Sequence, residues 1–327
     1  MTGGNMPEYW KVTRLSEKAV SPAMGERVLE SPGMGEVLVR MHAAALNFAD
    51  ILMLQGTYQD TPTRPFVPGL EGAGVVMAAG PGTDLPPGTR VAVHAQGTMA
   101  EAGIFPASRC IPIPDNLGFQ EAAGFSIAYG TSHLALTHRA SLQRAETLAV
   151  LGAAGGVGLT AVEIGAALGA RVIAIARGAE RLQAARDAGA TELIDSATCP
   201  DLRAALRDLG GVDVVYDPVG DAPGAAAFGA LKPGGRFLVI GFAGGQPPAL
   251  PLNHALVKNI SILGLYWGGY EKLAPEILRT SLVELMELAR QGRLRPHVGA
   301  TLPLERLPEA YELLASRRAI GKVVVTM

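Results

Sequence analysis

Over residues 1–119 apolar and polar positions alternate in short runs that Pro and Gly interrupt. GEVLVRMHAAAL, GLEGAGVVMAAG and TRVAVHA are the clearest of these, and they predict a mostly-β domain. From Gln120 the period changes. Strand-length apolar runs at TLAVLG, RVIAIA, ELID, VDVVYD and GRFLVIG are separated by helically spaced segments at GLTAVEIGAALGA, AERLQAARDAG, DLRAALRDL and APGAAAFGALK. Strands and helices in regular alternation predict an α/β domain with a doubly wound parallel sheet over residues 120–267. One further apolar run, NISILGLYW, closes that region. KLAPEILRTSLVELMELARQG then has the spacing of one long amphipathic helix, and GKVVVTM that of a last strand. Residues 268–327 are read as a return to the first domain, and GGQPPALPL as a loop.

Composition narrows the function classes. A chain of 327 residues, 48% hydrophobic and 18% charged, can build one large or two medium domains with their own cores. A net charge of -2, with no block of Lys and Arg, offers no footprint for nucleic acid or anionic lipid. The opening MTGGNMPEYWKV has no basic segment leading into an apolar one, and no apolar run is long enough to span a bilayer. A cytoplasmic location without a membrane partner is the expectation. Cys110 and Cys199 are too few for a disulfide framework or a thiolate zinc site. His42, His94, His133, His138, His254 and His297 show no paired metal spacing and are read as packed or solvated.

The chemistry begins at LAVLGAAGGVG, Leu148 to Gly158, where an apolar run enters a glycine-rich turn ahead of a helical segment. Ala153, Gly155 and Gly158 occupy the three small-residue positions of the dinucleotide fingerprint, and Gly156 adds freedom between them. Pyrophosphate needs a tight turn, a backbone it can approach closely, and helix N-terminal N–H groups aimed at its charge. Ala154, Gly155, Gly156, Val157 and Gly158 are therefore expected to line it, provided Ala153 does not need a positive φ. The next strand-like run ends in Ala176 and Arg177, so the carboxylate that reads a ribose 2′-OH in NAD binders is missing there. Arg177, with Arg181 one turn on, can pair with a 2′-phosphate, and the expected cofactor is NADPH. GFSIA, Gly124 to Ala128, lacks the closing Gly of a nucleophile elbow, which removes a serine hydrolase.

Taken in order, LNFADILMLQGTY, FVPGLEGAGVV, AAGFSIAYGTS, GAAGGVG, DPVG and GKVVV resemble the zinc-independent NADPH:quinone oxidoreductase (zeta-crystallin-like) branch of the medium-chain dehydrogenase/reductase superfamily. The resemblance implies a GroES-like catalytic domain built from both ends of the chain and a Rossmann domain between them. Where the zinc alcohol dehydrogenases of that superfamily place Cys, His and Cys, this chain has Asn47, Leu70 and Ala123, and Leu52 replaces their relay histidine. None of the three can complete a zinc site. An acceptor that delocalises negative charge itself, a quinone or a conjugated carbonyl, suits a site that offers only hydrogen-bond donors. Asn47 and Tyr58 are the donors nominated, although Leu52 stands where related quinone reductases carry a second Tyr. By position, Tyr129, Thr131, Val219, Gly220, Gly241, Phe242, Gly264, Tyr266, Trp267 and Lys322 are further expected cofactor contacts. An enoyl-thioester reductase and a non-catalytic, crystallin-like NADPH binder remain alternatives. NISILGLYW, apolar on both faces, reads as a sheet edge that needs a partner, and a homodimer joined through Ile260 to Leu265 is expected.

Overall fold

Parallel strands alternate with helices through the middle of the chain, and mainly antiparallel strands occupy its two ends, in a computed structural model that describes residues 9–16 and 21–327. The opening MTGGNMPE, part of the segment in which no leader was read, lies outside the described residues. The chain divides into two units, one made of Met1–Ile127 with Pro296–Met327 and one of Ala128–Arg295. The expected boundaries at 119/120 and 267/268 both fall earlier than these.

In the second unit the strands stand in the order Glu192–Asp195, Arg171–Ala176, Thr147–Leu151, Val212–Asp217, Leu231–Val239, Ser261–Gly264, and every neighbouring pair is parallel. This is the doubly wound order. The chain leaves Thr147–Leu151 in one direction and resumes on its other side with Val212–Asp217, which opens a crevice at the strand ends where such sheets take ligands. Continuous apolar runs are what a strand covered on both faces requires. Ile173, Ile175, Val215, Phe228 and Phe237 share one buried cluster, with the two Phe rings edge to face at 5.6 Å.

The segment expected to form one helix from Lys272 is two. Tyr270–Leu273 ends at Ala274, whose backbone is extended at φ -159° and ψ 72°, and Pro275–Arg290 starts afresh with proline in its first turn. A proline ring disfavours helical geometry at the residue before it and suits a helix start, which explains the break. Leu278, Leu282, Leu285, Met286 and Ala289 form the buried stripe. On the same face Ser281 Oγ meets His133 Nδ1 at 2.8 Å, and just upstream Tyr270 packs edge-on to His138. Those contacts keep residues 268–295 with the parallel sheet, so the return to the first unit comes only at Pro296. The helix Ser126–His133 runs on into a π-helical turn, Leu134–Arg139, that hydropathy did not foreshadow.

The first unit has a seven-stranded sheet in the order Val298–Pro303, Lys322–Thr326, Glu36–Ala45, Glu71–Ala79, Arg90–Val93, Cys110–Pro112, with Ala102–Pro106 also paired to Glu36–Ala45. All pairs are antiparallel except Val298–Pro303 with Lys322–Thr326. Glu36–Ala45 is the hub, because its second half lies between Glu71–Ala79 and the C-terminal strand. That placement buries Lys322 at the head of the last strand. Among the described residues no helix is long and apolar enough to cross a membrane.

Candidate functional site

The glycine turn after Thr147–Leu151 is shaped as the fingerprint requires, with one change of register. Gly152, not Ala153, takes the positive φ, +58°, and its carbonyl accepts the Gly155 N–H at 2.9 Å. Ala153 is thereby spared the conformation it could not adopt cheaply. A Cβ on Gly158 would lie 2.1 Å from the Gly152 carbonyl oxygen, so only glycine lets the helix Gly156–Ala167 begin this close to the strand. Gly155 is the N-cap and, having no side chain, leaves the first-turn N–H groups uncapped, while a Cβ there would approach nothing nearer than 3.4 Å. An uncapped helix start beside open space fits a dinucleotide pyrophosphate. Gly155 is exposed, Gly156 and Val157 half-buried, and Ala154 buried.

At the neighbouring strand end, Ala176 is buried and Arg177 exposed. Gly178 follows at φ +83° and donates its N–H to Asp195 Oδ1 at 3.0 Å. Asp195 also accepts from Ala197, and these two N–H bonds hold its carboxyl below the usual range. This carboxylate, one strand over, has no local signal in the sequence that ties it to the Arg177 turn. It is committed to fixing the turn that carries Arg177. Arg181 folds back toward the Arg177 carbonyl at 3.5 Å.

Two further groups without a local sequence signature, Asp217 and Ser132, fix the surroundings of this turn. Asp217 Oδ1 accepts from the backbone N–H of Val219 and of Gly220, both at 2.8 Å, and shapes DPVG as an Asx turn. Burial is the main influence on Asp217 and raises its pKa against the pull of those bonds. Gly220, at φ +76°, is closed in by the Gln246 carbonyl and by Phe242, whose Cδ1 would lie 3.2 Å from a Cβ there. Gly244 N–H bonds the Val219 carbonyl at 2.7 Å and ties the Gly241–Gly245 loop to the same place. The second hub is Ser132, whose Oγ lies 2.7 Å from Thr160 Oγ1, 2.9 Å from Tyr216 Oη and 3.1 Å from the Val157 carbonyl. It fastens the helix bearing Thr131 to the first turn of the fingerprint helix.

Other nominated side chains are differently placed. Tyr129 donates its hydroxyl to Glu163 Oε2 at 2.5 Å, and Glu163 Oε1 accepts the Arg295 N–H at 2.6 Å. Thr131 is buried. Trp267 lays its indole on Gly130, where a Cβ would stand 2.5 Å from Nε1, while Gly264, Tyr266 and Phe242 are exposed.

Asn47, in the first unit, precedes the helix Phe48–Gln55, and Asp50 reaches back to its backbone N–H at 2.7 Å. Its side chain belongs to a cluster. Nδ2 donates to Glu71 Oε1 at 3.0 Å, and Oδ1 accepts from Lys322 Nζ at 2.8 Å. Lys322 also donates to Glu71 Oε1 at 2.8 Å and to the Leu46 carbonyl at 2.9 Å. The three donors of the ammonium are thus used inside this unit. Lys322, expected as a cofactor contact, is an inward-turned cation, because its strand lies directly beside Glu36–Ala45. Tyr58 is half-buried, and with Leu70 it packs against Leu15, Met53 and Phe66. Ala123 is fully buried. Among the described residues no group of three or more His, Cys, Asp and Glu is placed to hold a metal ion.

Each unit also has an open cavity away from these groups. One of about 780 Å³ is lined by His42, Phe119, Gln120 and His297, and one of about 290 Å³ by His133, Thr137, Ser281 and Glu284. The second contains a Ser–His–Glu series, with His133 Nε2 3.7 Å from Glu284. Ser281 is 3% exposed on the buried stripe of its helix, so the series is a packing tie and not a nucleophile.

Residues 33–115 match the family model of the alcohol dehydrogenase GroES-like domain, and residues 156–286 that of the zinc-binding dehydrogenases. The chain is 37% identical over 333 residues to the quinone oxidoreductase-like protein 2 homolog of Nematostella vectensis, covering 97% of this chain and 91% of that one. Its identity to quinone oxidoreductase-like protein 2 of Bos taurus is also 37%, over 89% and 85% of the two chains. Among solved structures, the quinone oxidoreductase of Thermus thermophilus, also solved in complex with NADPH, superposes with a TM-score of 0.84 at 31% identity, covering 97% of this chain and 100% of that one. A mycobacterial protein complexed with NADPH gives 0.89 at 28% identity, over 97% and 100%.

Proposed function

The chain belongs to the quinone oxidoreductase family of the medium-chain dehydrogenases/reductases, and from that membership we propose that it is an NADPH-dependent, zinc-independent reductase of quinones or conjugated carbonyls. The observation that carries the reading is the pairing of an uncapped, glycine-lined helix start at Gly155–Gly158 with a second strand end that offers Arg177 in place of a carboxylate. The NADPH complexes of similar structures support the same cofactor.

When bound, NADPH supplies a hydride to an electrophilic carbon. The N–H groups of Gly155 to Gly158 would hold its pyrophosphate, and Arg177 and Arg181 its 2′-phosphate. Thr131, Val219, Gly220, Gly241, Phe242, Gly264, Tyr266 and Trp267 would line the remainder. Asn47 and Tyr58 would donate hydrogen bonds to the acceptor oxygen as negative charge develops there. No thiolate or imidazole stands at Asn47, Leu70 or Ala123, which supports a reaction without a zinc Lewis acid. Charge spread over a quinone or enolate needs less help than a simple alkoxide.

Assembly is part of the reading. Ser261–Gly264 is the outer strand of its sheet, with Ile262 40% exposed, and the helix Leu252–Lys258 that precedes it in the chain leaves Leu256 and Val257 each 79% exposed. An exposed apolar edge of this kind calls for a second copy. The test of function is NADPH oxidation with a quinone, a conjugated enone, an enoyl thioester, a saturated aldehyde and no acceptor. Turnover of the first two is expected. Turnover of the thioester alone makes the chain an enoyl-thioester reductase, and no turnover with any acceptor leaves a dinucleotide-binding protein.

A further inference from the structure

The Asn47 cluster contains a charge pair with almost no access to water: Glu71 is 0% exposed and Lys322 8%. Removing both charges from solvent is costly, and a well-packed apolar pair usually serves stability at least as well. The geometry indicates another use. An ammonium only donates hydrogen bonds and an ionised carboxylate only accepts them. Asn47 must therefore turn Oδ1 to Lys322 and Nδ2 to Glu71, because the flipped amide would set N–H against ammonium and oxygen against carboxylate. Glu71 is itself held, its Oε2 accepting the Ile127 N–H at 2.9 Å. Lys322 has a reserved path, since a Cβ on Gly124 would press within 3.0 Å of Lys322 Cγ and Cε. Nδ2 carries two hydrogens, and Glu71 takes one. Among the described residues none accepts the other, and Asn47 is half-buried, not sealed.

We infer that Lys322 and Glu71 are positioning residues that lock the Asn47 carboxamide in one orientation, so that its outer N–H, polarised by the ammonium on the amide oxygen, is presented to the oxygen of the acceptor. This rests on the proposed role of Asn47 as acceptor-side donor. The lock supplies what a lone asparagine lacks, a donor already aimed before charge develops, and preorganisation of this kind is what makes such donors effective.

A double-mutant cycle on the full-length chain separates positioning from simple fastening of strands. Asn47→Ala is expected to lower kcat for a quinone about 10²-fold, the scale of a lost oxyanion donor. Lys322→Met, which keeps the length of the stem, should lower kcat about tenfold with little change in quinone KM, in the range for removing a group that orients a site residue. In the Asn47→Ala background Lys322→Met should cost less than about twofold, since there is no amide left to aim. If the two losses multiply, or Lys322→Met turns over like the parent, the positioning inference fails while the role of Asn47 stands. An Asn47→Ala chain as fast as the parent overturns both. If Lys322→Met does not fold, Lys322→Met combined with Glu71→Leu, which removes both locking groups and leaves no unpaired buried charge, provides the same cycle with the same outcomes.

Discussion

Asp50, a residue only 2% exposed, accepts the backbone N–H of Asn47 at 2.7 Å. Burial raises the Asp50 pKa to about 7, against the opposing pull of the Asn47 and Gly69 N–H groups and of Lys322, and with a smaller push from Glu71. The folded chain therefore keeps a proton there that the unfolded chain releases near pH 4, and folding stability falls as pH rises between those values. Asp50→Asn retains an oxygen for the Asn47 N–H and cannot titrate. Urea unfolding from pH 4 to pH 8 should show the variant gaining on the parent by up to about 1.4 kcal/mol per pH unit, levelling off above pH 7. Burial effects at Asp217 and Glu163 are common to both chains and cancel. A difference independent of pH would mean that Asp50 is ionised throughout.

Tyr58 is expected to act through its hydroxyl. Tyr58→Phe preserves the ring against Leu15, Met53 and Phe66 and should lower kcat about 10²-fold without changing NADPH affinity. A loss below about threefold in steady-state kinetics would reduce Tyr58 to a packing residue.

Cofactor choice is expected to follow Arg177. Fluorescence titration should give tighter binding of NADPH than of NADH, and Arg177→Ala should shrink that ratio about tenfold or more, the value of a lost charge-assisted bond. An unchanged ratio would shift the reading of the 2′-phosphate to Arg181 or remove it.

Light scattering should find a dimer at micromolar concentration, and Ile262→Lys on the outer strand should yield a monomer with a folded core. A monomeric parent, or a dimer that tolerates the charge, would place the interface elsewhere.

Local features of the fold were legible in the sequence and distant ones were not. The six parallel strands announced themselves as apolar runs, and GAAGGVG as a helix start, because those signals lie within a few residues of one another. That Gly152 takes the left-handed position, and that Asp217 and Asp195 brace neighbouring turns, is decided by the folded chain. Ser132 was invisible for a similar reason, since its partners Thr160 and Tyr216 lie 28 and 84 residues away. The Asn47 cluster is the extreme case, with Lys322 separated from Glu71 by 251 residues and from Asn47 by 275. Its one trace in the sequence is a charge in each of two otherwise apolar stretches, GLEGAGVV and GKVVV. A lysine near a chain end is usually a solvated one, and the Glu36–Ala45 neighbour that turns this one inward is specified nowhere near it.

The most direct test of the central claim is hydride transfer by chelator-treated, zinc-free protein using NADPH deuterated at its transferable position. Oxidation is expected to continue with a quinone and with an enone, more slowly than with unlabelled NADPH, and the deuterium to be recovered on the β-carbon of the reduced enone. Turnover that appears only when zinc is restored, or reduction of saturated carbonyls with no label passed to an enone, would contradict it.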